Sequence, residues 1–400
     1  MKGNCLIAQS GGPTAVMNNS LYGVIEAALL SDRVEKVWGA RRGIYGLLHR
    51  DYIDLTQFSA AQLRTLRSTP GAALGSWRYK LTVDDVERII SNMQANNVRY
   101  FFFIGGNGSM QAAHMIHEAA RTKGYELFVM GIPKTVDNDL MYTDHAPGFG
   151  SAAKFLATCL VDIGMDISSM PKSNRVTIVE TMGRNTGWLA ASCALARRQI
   201  PSVPQLVYIP EIPFSVEQFL QDVHQSYTQS GSVLVVVSEG VRDSSGQFVA
   251  GESISLDAIG RPQLGGVASY LASVIEKQLD LSARYILPSI WQRSGMLFSS
   301  GVDAEEAYLA GKHAFLYTQQ ETTGKMVNLT RIPGHSYAVS FGTVPLADVA
   351  GKERLFPLQW YDTEAKFVKQ PFLDYVSPLI QGEVWVPRDN GLPVYESIVL

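Results

Sequence analysis

Short β-rich runs alternate with glycine-rich loops and helical segments, and this alternation restricts the fold more than any other feature of the sequence. The β-rich runs cover residues 5–8, 100–104, 128–132, 176–179 and 233–237. The predicted helices, which carry Ala and Leu at i, i+3, i+4 spacing, cover residues 16–30, 110–121, 151–160, 188–196 and 267–279. Such alternation is typical of parallel α/β sheets. Since 400 residues exceed what one core usually organises, we expect two doubly wound, Rossmann-like αβα domains.

Composition and charge argue against several classes of protein. Charged residues make up 18% of the chain and the net charge is −3, unlike a nucleic-acid-binding protein that depends on phosphate attraction. Cys5, Cys159 and Cys193 are far apart in sequence, so we expect no disulfide framework and no CxxC pair. The first apolar run is too short for a signal peptide, and no stretch approaches the roughly 20 apolar residues of a membrane span. We therefore predict a cytoplasmic protein that binds neither nucleic acid nor a membrane.

Two glycine-rich loops each follow a predicted strand and precede a helix. Gly105-Gly106-Asn107-Gly108-Ser109 comes directly after the run at 100–104, and Gly11-Gly12 comes after the first strand. Backbone N–H groups and a helix N-terminus at such a loop suit a phosphate group. A tight turn that needs glycine for a positive φ is the alternative. Both loops lie at carboxyl ends of strands, where open α/β sheets bind their ligands.

Residues 133–139, Pro-Lys-Thr-Val-Asp-Asn-Asp, form the segment richest in functional side chains. If the segment is extended, the carboxylates of Asp137 and Asp139 point the same way, so that one takes a hydroxyl proton and the other holds Mg²⁺. The alternative is an Asx-rich turn without catalytic function, which the segment by itself favours.

Further polar residues follow or flank the apolar runs. Met182-Gly183-Arg184 and Ser238-Glu239-Gly240 come after the runs at 176–179 and 233–237, at strand ends where binding sites collect. Four arginines lie in or beside apolar sequence, where a guanidinium needs an anionic partner: Arg175, Arg184, Arg284 and Arg293. That partner could be a bound ligand or a carboxylate with a structural role, and the sequence does not decide between them.

Two common nucleotide-binding patterns are missing. Each Gly-Lys pair lacks the hydroxyl residue that completes a Walker loop. Residues 148–153 match GxGxxA, but residues 143–147 before them show no strand pattern. A nicotinamide-dependent dehydrogenase is therefore disfavoured.

Taken in order, these segments resemble the phosphofructokinase family. The matching motifs are Gly11-Gly12, the 105–109 loop, residues 133–139, Met182-Gly183-Arg184, Ser238-Glu239-Gly240 and residues 291–295, Trp-Gln-Arg-Ser-Gly. They extend over roughly three quarters of the chain. Residues 8–12, 75–80 and 147–151 look most like the bacterial diphosphate-dependent branch of this family.

The resemblance implies a role for each matching residue. Asp137 would be the base for the sugar 1-hydroxyl and Arg184 would stabilise the transition state, with Lys134 beside the transferring phosphoryl group and Thr135 in contact with substrate. Mg²⁺ would be held by Asn107 and Asp139. The fructose 6-phosphate pocket would be formed by Met182, Gly183 and Glu239, with Arg284 and Arg293 on the 6-phosphate and Arg175 from a neighbouring subunit. The phosphoryl donor would be held by Gly11, Gly12, Arg78, Lys80, Gly106, Asn107, Gly108 and Ser109.

The resemblance also implies a reaction and a domain plan. Mg²⁺-dependent phosphoryl transfer to the C1 hydroxyl of fructose 6-phosphate would give fructose 1,6-bisphosphate, a step of glycolysis. Residues 1–148, with a returning segment near 295–330, would form the donor domain and residues 149–294 the fructose 6-phosphate domain, with the active site in the cleft between them. Residues 331–400 would pack on both domains as a C-terminal extension, and the working form would be a homodimer or homotetramer. A non-catalytic, effector-binding paralogue is the alternative, which the presence of Asp137, Asp139 and Arg184 disfavours.

Two residues depart from the family pattern. Asn107 stands where an acidic Mg²⁺ ligand is usual and offers an oxygen without charge. Gly108 stands where diphosphate users typically carry Asp, whose carboxylate would repel the α-phosphate of ATP. Lys134 resembles the diphosphate users. Because Gly108 removes the block to ATP, we expect ATP as the donor, by a narrow preference over diphosphate.

Overall fold

The structure, a computed structural model, describes residues 1–170, 175–200, 203–251, 260, 264–334 and 336–398. The chain forms two compact units. Unit 1 comprises Met1–Ser151, Arg293–Arg354 and Gly382–Leu400, and unit 2 comprises Ala152–Gln292 and Leu355–Gln381. Residues 331–400, expected as one extension, are thus divided between the two units.

Strands and helices alternate along much of the chain. The strands are β1 (Gly3–Gln9), β2 (Val34–Ala40), β3 (Tyr52–Asp54), β4 (Val98–Gly105), β5 (Phe128–Pro133), β6 (Val176–Thr181), β7 (Leu206–Tyr208), β8 (Val233–Ser238), β9 (Ala283–Ile286), β10 (Lys325–Arg331), β11 (Val339–Pro345), β12 (Tyr361–Asp362), β13 (Phe367–Val368), β14 (Arg388–Asp389) and β15 (Leu392–Pro393). The α-helices are α1 (Met17–Leu29), α2 (Ile44–His49), α3 (Ala60–Thr65), α4 (Val83–Ala95), α5 (Asn107–Thr122), α6 (Phe149–Ser169), α7 (Trp188–Ser192), α8 (Val216–Ser230), α9 (Val267–Leu279), α10 (Trp291–Ser294), α11 (Gly301–Gln319), α12 (Leu346–Val349) and α13 (Gln370–Val376).

Each unit has its own largely parallel sheet. In unit 1 the strand order is β11-β10-β5-β4-β1-β2-β3, with antiparallel pairing only at the two edge strands, β3 and β11. In unit 2 the order is β7-β8-β6-β9, and every pair is parallel. The predicted α/β fold is therefore confirmed. The predicted helix at 188–196 is wrong in its second half, because α7 ends at Ser192 and a 3-10 helix, Cys193–Arg198, follows.

Strand β4 is buried on both faces. Tyr100 and Phe102 pack with apolar residues of α1 and α11, and Phe101 and Phe103 pack with those of α4 and α5. A parallel strand covered by helices on both sides has no solvent-facing positions. This explains the uninterrupted apolar run that leads into the 105–109 loop.

Helices α1 and α11 pack closely because glycines lie at their contact. A Cβ on Gly311 would lie 2.0 Å from the Ser20 carbonyl oxygen, and a Cβ on Gly23 would lie 2.1 Å from the Tyr308 carbonyl oxygen. The Tyr308 hydroxyl also donates a hydrogen bond to Glu26. The pair covers one face of the unit 1 sheet.

The structure describes the state of the three cysteines and the length of the helices. Cys5, Cys159 and Cys193 are free, and the complete burial of Cys5 and Cys193 raises the pKa of both thiols. Among the residues that the structure describes, no helix is long and apolar enough to cross a membrane.

Candidate active site

The connection from β4 to α5 presents the start of a helix without a side-chain cap. β4 ends at Gly105, Gly106 is the N-cap, and α5 begins at Asn107. None of Gly105, Gly106 and Gly108 has a positive φ, so a turn that needs left-handed glycine does not account for them. Gly105 is required for space instead, because a Cβ there would lie 2.0 Å from Ser109 Oγ. The backbone N–H groups at the start of this helix are suited to an anion.

The loop after β1 forms a pocket of about 450 Å³ together with residues 72–78. Gly11 has a φ of 78°, as a glycine turn requires. Ser76 Oγ donates to the Gly11 carbonyl at 2.7 Å and brings the segment that carries Arg78 beside this loop. The pocket is lined by Gly11, Gly12, Pro13, Ala72, Gly75, Ser76, Arg78 and Arg293. Lys80 is exposed and lies outside this lining.

Two buried side-chain amides, those of Gln9 and Asn18, hold this pocket in place, a role that the sequence does not predict. Gln9 Oε1 accepts from Leu74 N at 2.9 Å, and Gln9 Nε2 donates to Asn18 Oδ1 at 2.9 Å. Asn18 Oδ1 also accepts from Ala73 N, and Asn18 Nδ2 donates to the Thr69 carbonyl, both at 2.9 Å. Buried polar groups are nearly always hydrogen-bonded. A Gln at the end of a strand that is otherwise apolar could therefore have indicated that its side chain makes such bonds.

Three cationic side chains converge beside Gly12. Lys134 is buried, and its Nζ donates to the Gly12 carbonyl at 2.8 Å. A Cβ on Gly12 would lie 2.8 Å from Arg293 Nη1 and 4.0 Å from Arg78 Nη2. The family resemblance implies that Arg293 binds the 6-phosphate together with Arg284. The structure places Arg293 beside this loop of unit 1 and Arg284 in β9 of unit 2.

The charge of Lys134 depends on its surroundings. Burial lowers the pKa of the ammonium most strongly, the carboxylates of Asp137 and Asp139 raise it, and the two nearby guanidinium groups lower it again. The result is a pKa of about 8. A cation with this pKa loses part of its charge in mildly alkaline solution.

Residues 135–139 form a turn. Thr135 Oγ1 accepts from Asp137 N at 3.1 Å, and Asn138 has a φ of 54°. The extended geometry considered for Asp137 and Asp139 is therefore wrong, because the left-handed Asn138 bends the chain between them. Both carboxylates still lie near enough to Lys134 to raise its pKa.

Asn107 and Asp139 form a hydrogen-bonded pair that has two unpartnered oxygens. Asn107 Nδ2 donates to Asp139 Oδ2 at 2.8 Å. Asn107 Oδ1 and Asp139 Oδ1 are buried and accept no hydrogen bond. Burial raises the pKa of Asp139, although hydrogen bonds from Thr135 and Asn107 and the charge of Lys134 act in the opposite direction. Two hard oxygen atoms without hydrogen-bond partners fit Mg²⁺, which prefers oxygen ligands.

In unit 2, the loops after β6 and β8 pack against each other. Glu239 N donates to the Thr181 carbonyl at 2.9 Å, and Ser238 Oγ donates to the Gly183 carbonyl at 2.6 Å. A Cβ on Gly240 would lie 2.0 Å from the Arg184 carbonyl oxygen. The structure therefore brings the Met182-Gly183-Arg184 loop and Glu239 together, as expected for parallel strand ends.

Gln292 supports this pair of loops. Its side chain is 2% exposed, and Oε1 accepts from Met182 N at 3.0 Å while Nε2 donates to the Ser289 carbonyl at 3.0 Å. Gln292 belongs to the motif at 291–295, but its role could not be predicted from the sequence.

Arg175 and Arg284 lie towards the other end of the unit 2 sheet. Arg175 directly precedes β6, and Arg284 lies opposite Thr177 in the pairing of β9 with β6. Met182 is five residues beyond Thr177, which corresponds to about 16 Å along a strand. Within one chain, these arginines do not join the loops that carry Met182 and Glu239.

The start of α6 is closed by a carboxylate from the same chain. Asp303 is 1% exposed and accepts from Gly148 N and Ser151 N, both at 2.9 Å. Burial raises the pKa of Asp303, hydrogen bonds from Ser151 and Gly148 lower it, and the result is about 6. In a dinucleotide site, the diphosphate binds the backbone N–H groups at the start of such a helix, and here Asp303 already occupies them. The GxGxxA match at 148–153 is therefore not a nucleotide site.

The fold and these loops define an α/β enzyme of the phosphotransferase class. The chain belongs to the phosphofructokinase family, whose model, described as Phosphofructokinase, matches residues 4–315. The predicted resemblance is confirmed.

Similar proteins match almost the whole chain. It is 40% identical over 397 residues to the pyrophosphate--fructose 6-phosphate 1-phosphotransferase of Halomonas elongata, with 98% of this chain and 94% of that protein covered. It is 38% identical over 403 residues to the protein of the same name from Xanthomonas campestris, with 99% and 96% covered. The crystal structure of a pyrophosphate-dependent phosphofructokinase from Marinobacter aquaeolei has a TM-score of 0.90 and 36% identity, with 99% of this chain and 96% of that chain covered.

Proposed function

We propose that this protein transfers a phosphoryl group from diphosphate to the C1 hydroxyl of fructose 6-phosphate. The observation that carries the proposal is Lys134, a buried ammonium that contacts the donor-side glycine loop and lies beside two carboxylates. Diphosphate has no nucleoside through which to bind, so cations of the protein must neutralise the leaving phosphate. The names of the similar proteins also support diphosphate better than the ATP expected from Gly108.

On the donor side, different residues of unit 1 bind the donor, hold the metal and accept the proton. Gly11, Gly12, Arg78 and Arg293 bind the donor together with the 106–109 start of α5. Asn107 and Asp139 would hold Mg²⁺, which would supply positive charge to offset that of the donor. Asp137 takes the proton of the C1 hydroxyl, and Lys134 stabilises the charge that develops on the leaving phosphate.

On the acceptor side, the loops of unit 2 bind the sugar phosphate. Met182, Gly183 and Glu239 contact fructose 6-phosphate, and Arg184 stabilises the transferring group. Arg175 and Arg284, which lie towards the other end of the sheet, bind the 6-phosphate in a neighbouring copy of the chain. The enzyme therefore works as a homo-oligomer.

The donor and acceptor are tested by one assay. Purified protein is given fructose 6-phosphate, Mg²⁺ and either diphosphate or ATP, and formation of fructose 1,6-bisphosphate is measured. We expect kcat/KM for diphosphate to exceed that for ATP by orders of magnitude, and Lys134→Gln to remove most of the diphosphate activity. Lys352→Gln, at an exposed position of unit 1, is the matched control. A higher kcat/KM for ATP would contradict the proposed donor. Absence of product with either donor would contradict fructose 6-phosphate as the acceptor.

A further inference from the structure

An ion-pair network surrounds the buried side chain of His145 in unit 1. His145 is 1% exposed, with Nδ1 2.9 Å from Asp144 Oδ1 and Nε2 2.6 Å from Glu306 Oε2. Tyr337 donates to Glu306 Oε1 at 2.6 Å, and Arg331 donates to Asp144 Oδ1 at 3.1 Å. The imidazole thus bridges two carboxylates, each of which has a second donor.

This geometry fits the charged form of His145. Both ring nitrogens face carboxylate oxygens, and only the imidazolium donates from both. Burial by itself would lower the pKa of His145, but the charges and hydrogen bonds of Glu306 and Asp144 outweigh it and raise the pKa to about 9.

The segment that carries His145 also supports the 135–139 turn. Ala146 N donates to Asn138 Oδ1 at 3.0 Å, and Thr135 N donates to the Pro147 carbonyl at 3.2 Å. Thr135 and Gly148 also form a parallel bridge. Residues on both sides of Asp137 are therefore attached to the segment 143–148.

The ends of this segment are fixed by two further side chains, the half-buried Arg354 and the buried Asp303. Arg354 donates to the carbonyl oxygens of Thr143 at 2.6 Å and Asn138 at 2.9 Å. Asp303 accepts from Gly148 N at 2.9 Å. His145 is the charged contact in the middle of the segment, between these two fixed ends.

We propose that His145 is a positioning residue for phosphoryl transfer. Its bridge between Asp144 and Glu306 holds the segment 143–148, which in turn holds the carboxylate of Asp137 in its reactive position through Thr135 and Asn138. The inference rests on the proposed function, because Asp137 is the base in that reaction. His145 acts through the backbone and not on the substrate.

The test is His145→Gln, which keeps a hydrogen-bonding side chain and removes the positive charge. We expect kcat to fall by about 10- to 100-fold, because small displacements of a reacting group have effects of this size. Both KM values should change little, because the ring nitrogens of His145 bond Asp144 and Glu306 and do not contact the proposed substrate-binding residues. His224→Gln, at an exposed position of α8, is the matched control and should keep the wild-type kcat.

The pH dependence of stability provides a second measurement. The groups that face His145 or its carboxylate partners are Asp144, Glu306, Tyr337, Arg331 and Asp303. The folded pKa of His145 is about 9, above the unfolded value of about 6.5, so its contribution to stability is complete below about pH 6.5 and is lost as pH rises through 9. The difference in Tm between wild type and His145→Gln should therefore shrink over this range, and it should not do so for His224→Gln.

The outcomes separate positioning from a structural role. A lower Tm with a wild-type kcat would overturn the proposal, as would a loss confined to KM. If His145→Gln does not fold, Tyr337→Phe removes the donor to Glu306 at the end of the network, and it should lower kcat less but again leave KM unchanged. A wild-type kcat for Tyr337→Phe with an altered Tm would also overturn the proposal. Failure of the proposed function is seen separately, in the wild-type assay, and would remove the role of Asp137 on which the inference rests.

Discussion

At the scale of single residues, Lys134 gives the enzyme a charge that varies with pH. Its pKa of about 8 means that the ammonium is lost as pH rises through 8, so the KM for diphosphate should rise in the same range. Lys134→Arg keeps its charge to above about pH 12 and should show a smaller rise. Measuring this KM from about pH 6.5 to 9.5 in both proteins tests the assignment. Identical curves would show that the titration belongs to another group or to the donor.

Asp137 is the second residue whose role has a direct test. Asp137→Asn keeps the size of the side chain and removes its basicity, so kcat should fall by roughly 10²–10⁴-fold with little change in either KM. Steady-state kinetics with diphosphate and fructose 6-phosphate measure the effect. Asp389→Asn, at an exposed position of β14, should leave kcat unchanged, and a near-normal kcat in Asp137→Asn would exclude it as the base.

The side chains that we propose to react could be identified from the sequence, but the residues that hold them could not. Lys134, Asp137 and Asp139 are close together in one short motif. Asn18 instead bonds the carbonyl of Thr69, and Gln292 bonds the amide of Met182, at separations of 51 and 110 residues. The backbone atoms that they contact leave no pattern in the sequence.

At the scale of elements, the α1–α11 contact depends on glycine. A Cβ on Gly311 would lie 2.0 Å from the Ser20 carbonyl oxygen, so Gly311→Ala should lower the free energy of unfolding by about 1–3 kcal/mol, although alanine raises helix propensity. Urea-induced unfolding measures the change. Gly108→Ala is the matched control, because a Cβ in this first turn of α5 meets no atom within 4 Å and should not destabilise the protein. If both variants had the same free energy of unfolding, α1 and α11 would be able to accommodate the added methyl group without loss of stability.

The strands that could be predicted are those buried on both faces. The run at 100–104 in β4 is apolar and fully buried, whereas β2 carries the exposed residues Glu35 and Lys36 and has no regular alternation. The early end of α7 was not predictable either. Arg197, in the 3-10 helix that follows, donates to the carbonyls of Pro204 and Gln205, and these tertiary contacts compete with helix propensity.

At the scale of the whole molecule, the positions of Arg175 and Arg284 predict an oligomer. Close to Arg284, the apolar side chains of Tyr285, Leu287 and Trp291 are 52%, 46% and 71% exposed. Light scattering should therefore give a mass two or four times 43.9 kDa. Leu287→Asp should shift the mass towards that of one chain and raise the KM for fructose 6-phosphate. A wild-type mass of 43.9 kDa with full activity would refute the shared pocket.

The two-domain α/β class could be predicted from the alternation of elements, but the course of the chain from β10 onwards could not. β10 joins the first sheet by pairing Lys325 with Met130, and residues 355–381 then return to unit 2. Pairing across so long a separation depends on which sheet edge is open in the folded state. Local spacing carries no information about that edge.

Asp303 has a consequence for how this protein can evolve. The chain supplies its own counter-ion to the start of α6, with two backbone N–H groups already bound to the Asp303 carboxylate. A lineage that acquires a new phosphorylated substrate therefore has no unclaimed anion site at residues 148–151 to adapt. We therefore expect substitutions that change donor preference to lie in the Gly11-Gly12 loop and the 105–109 loop, while Asp303 serves the start of α6 and no substrate.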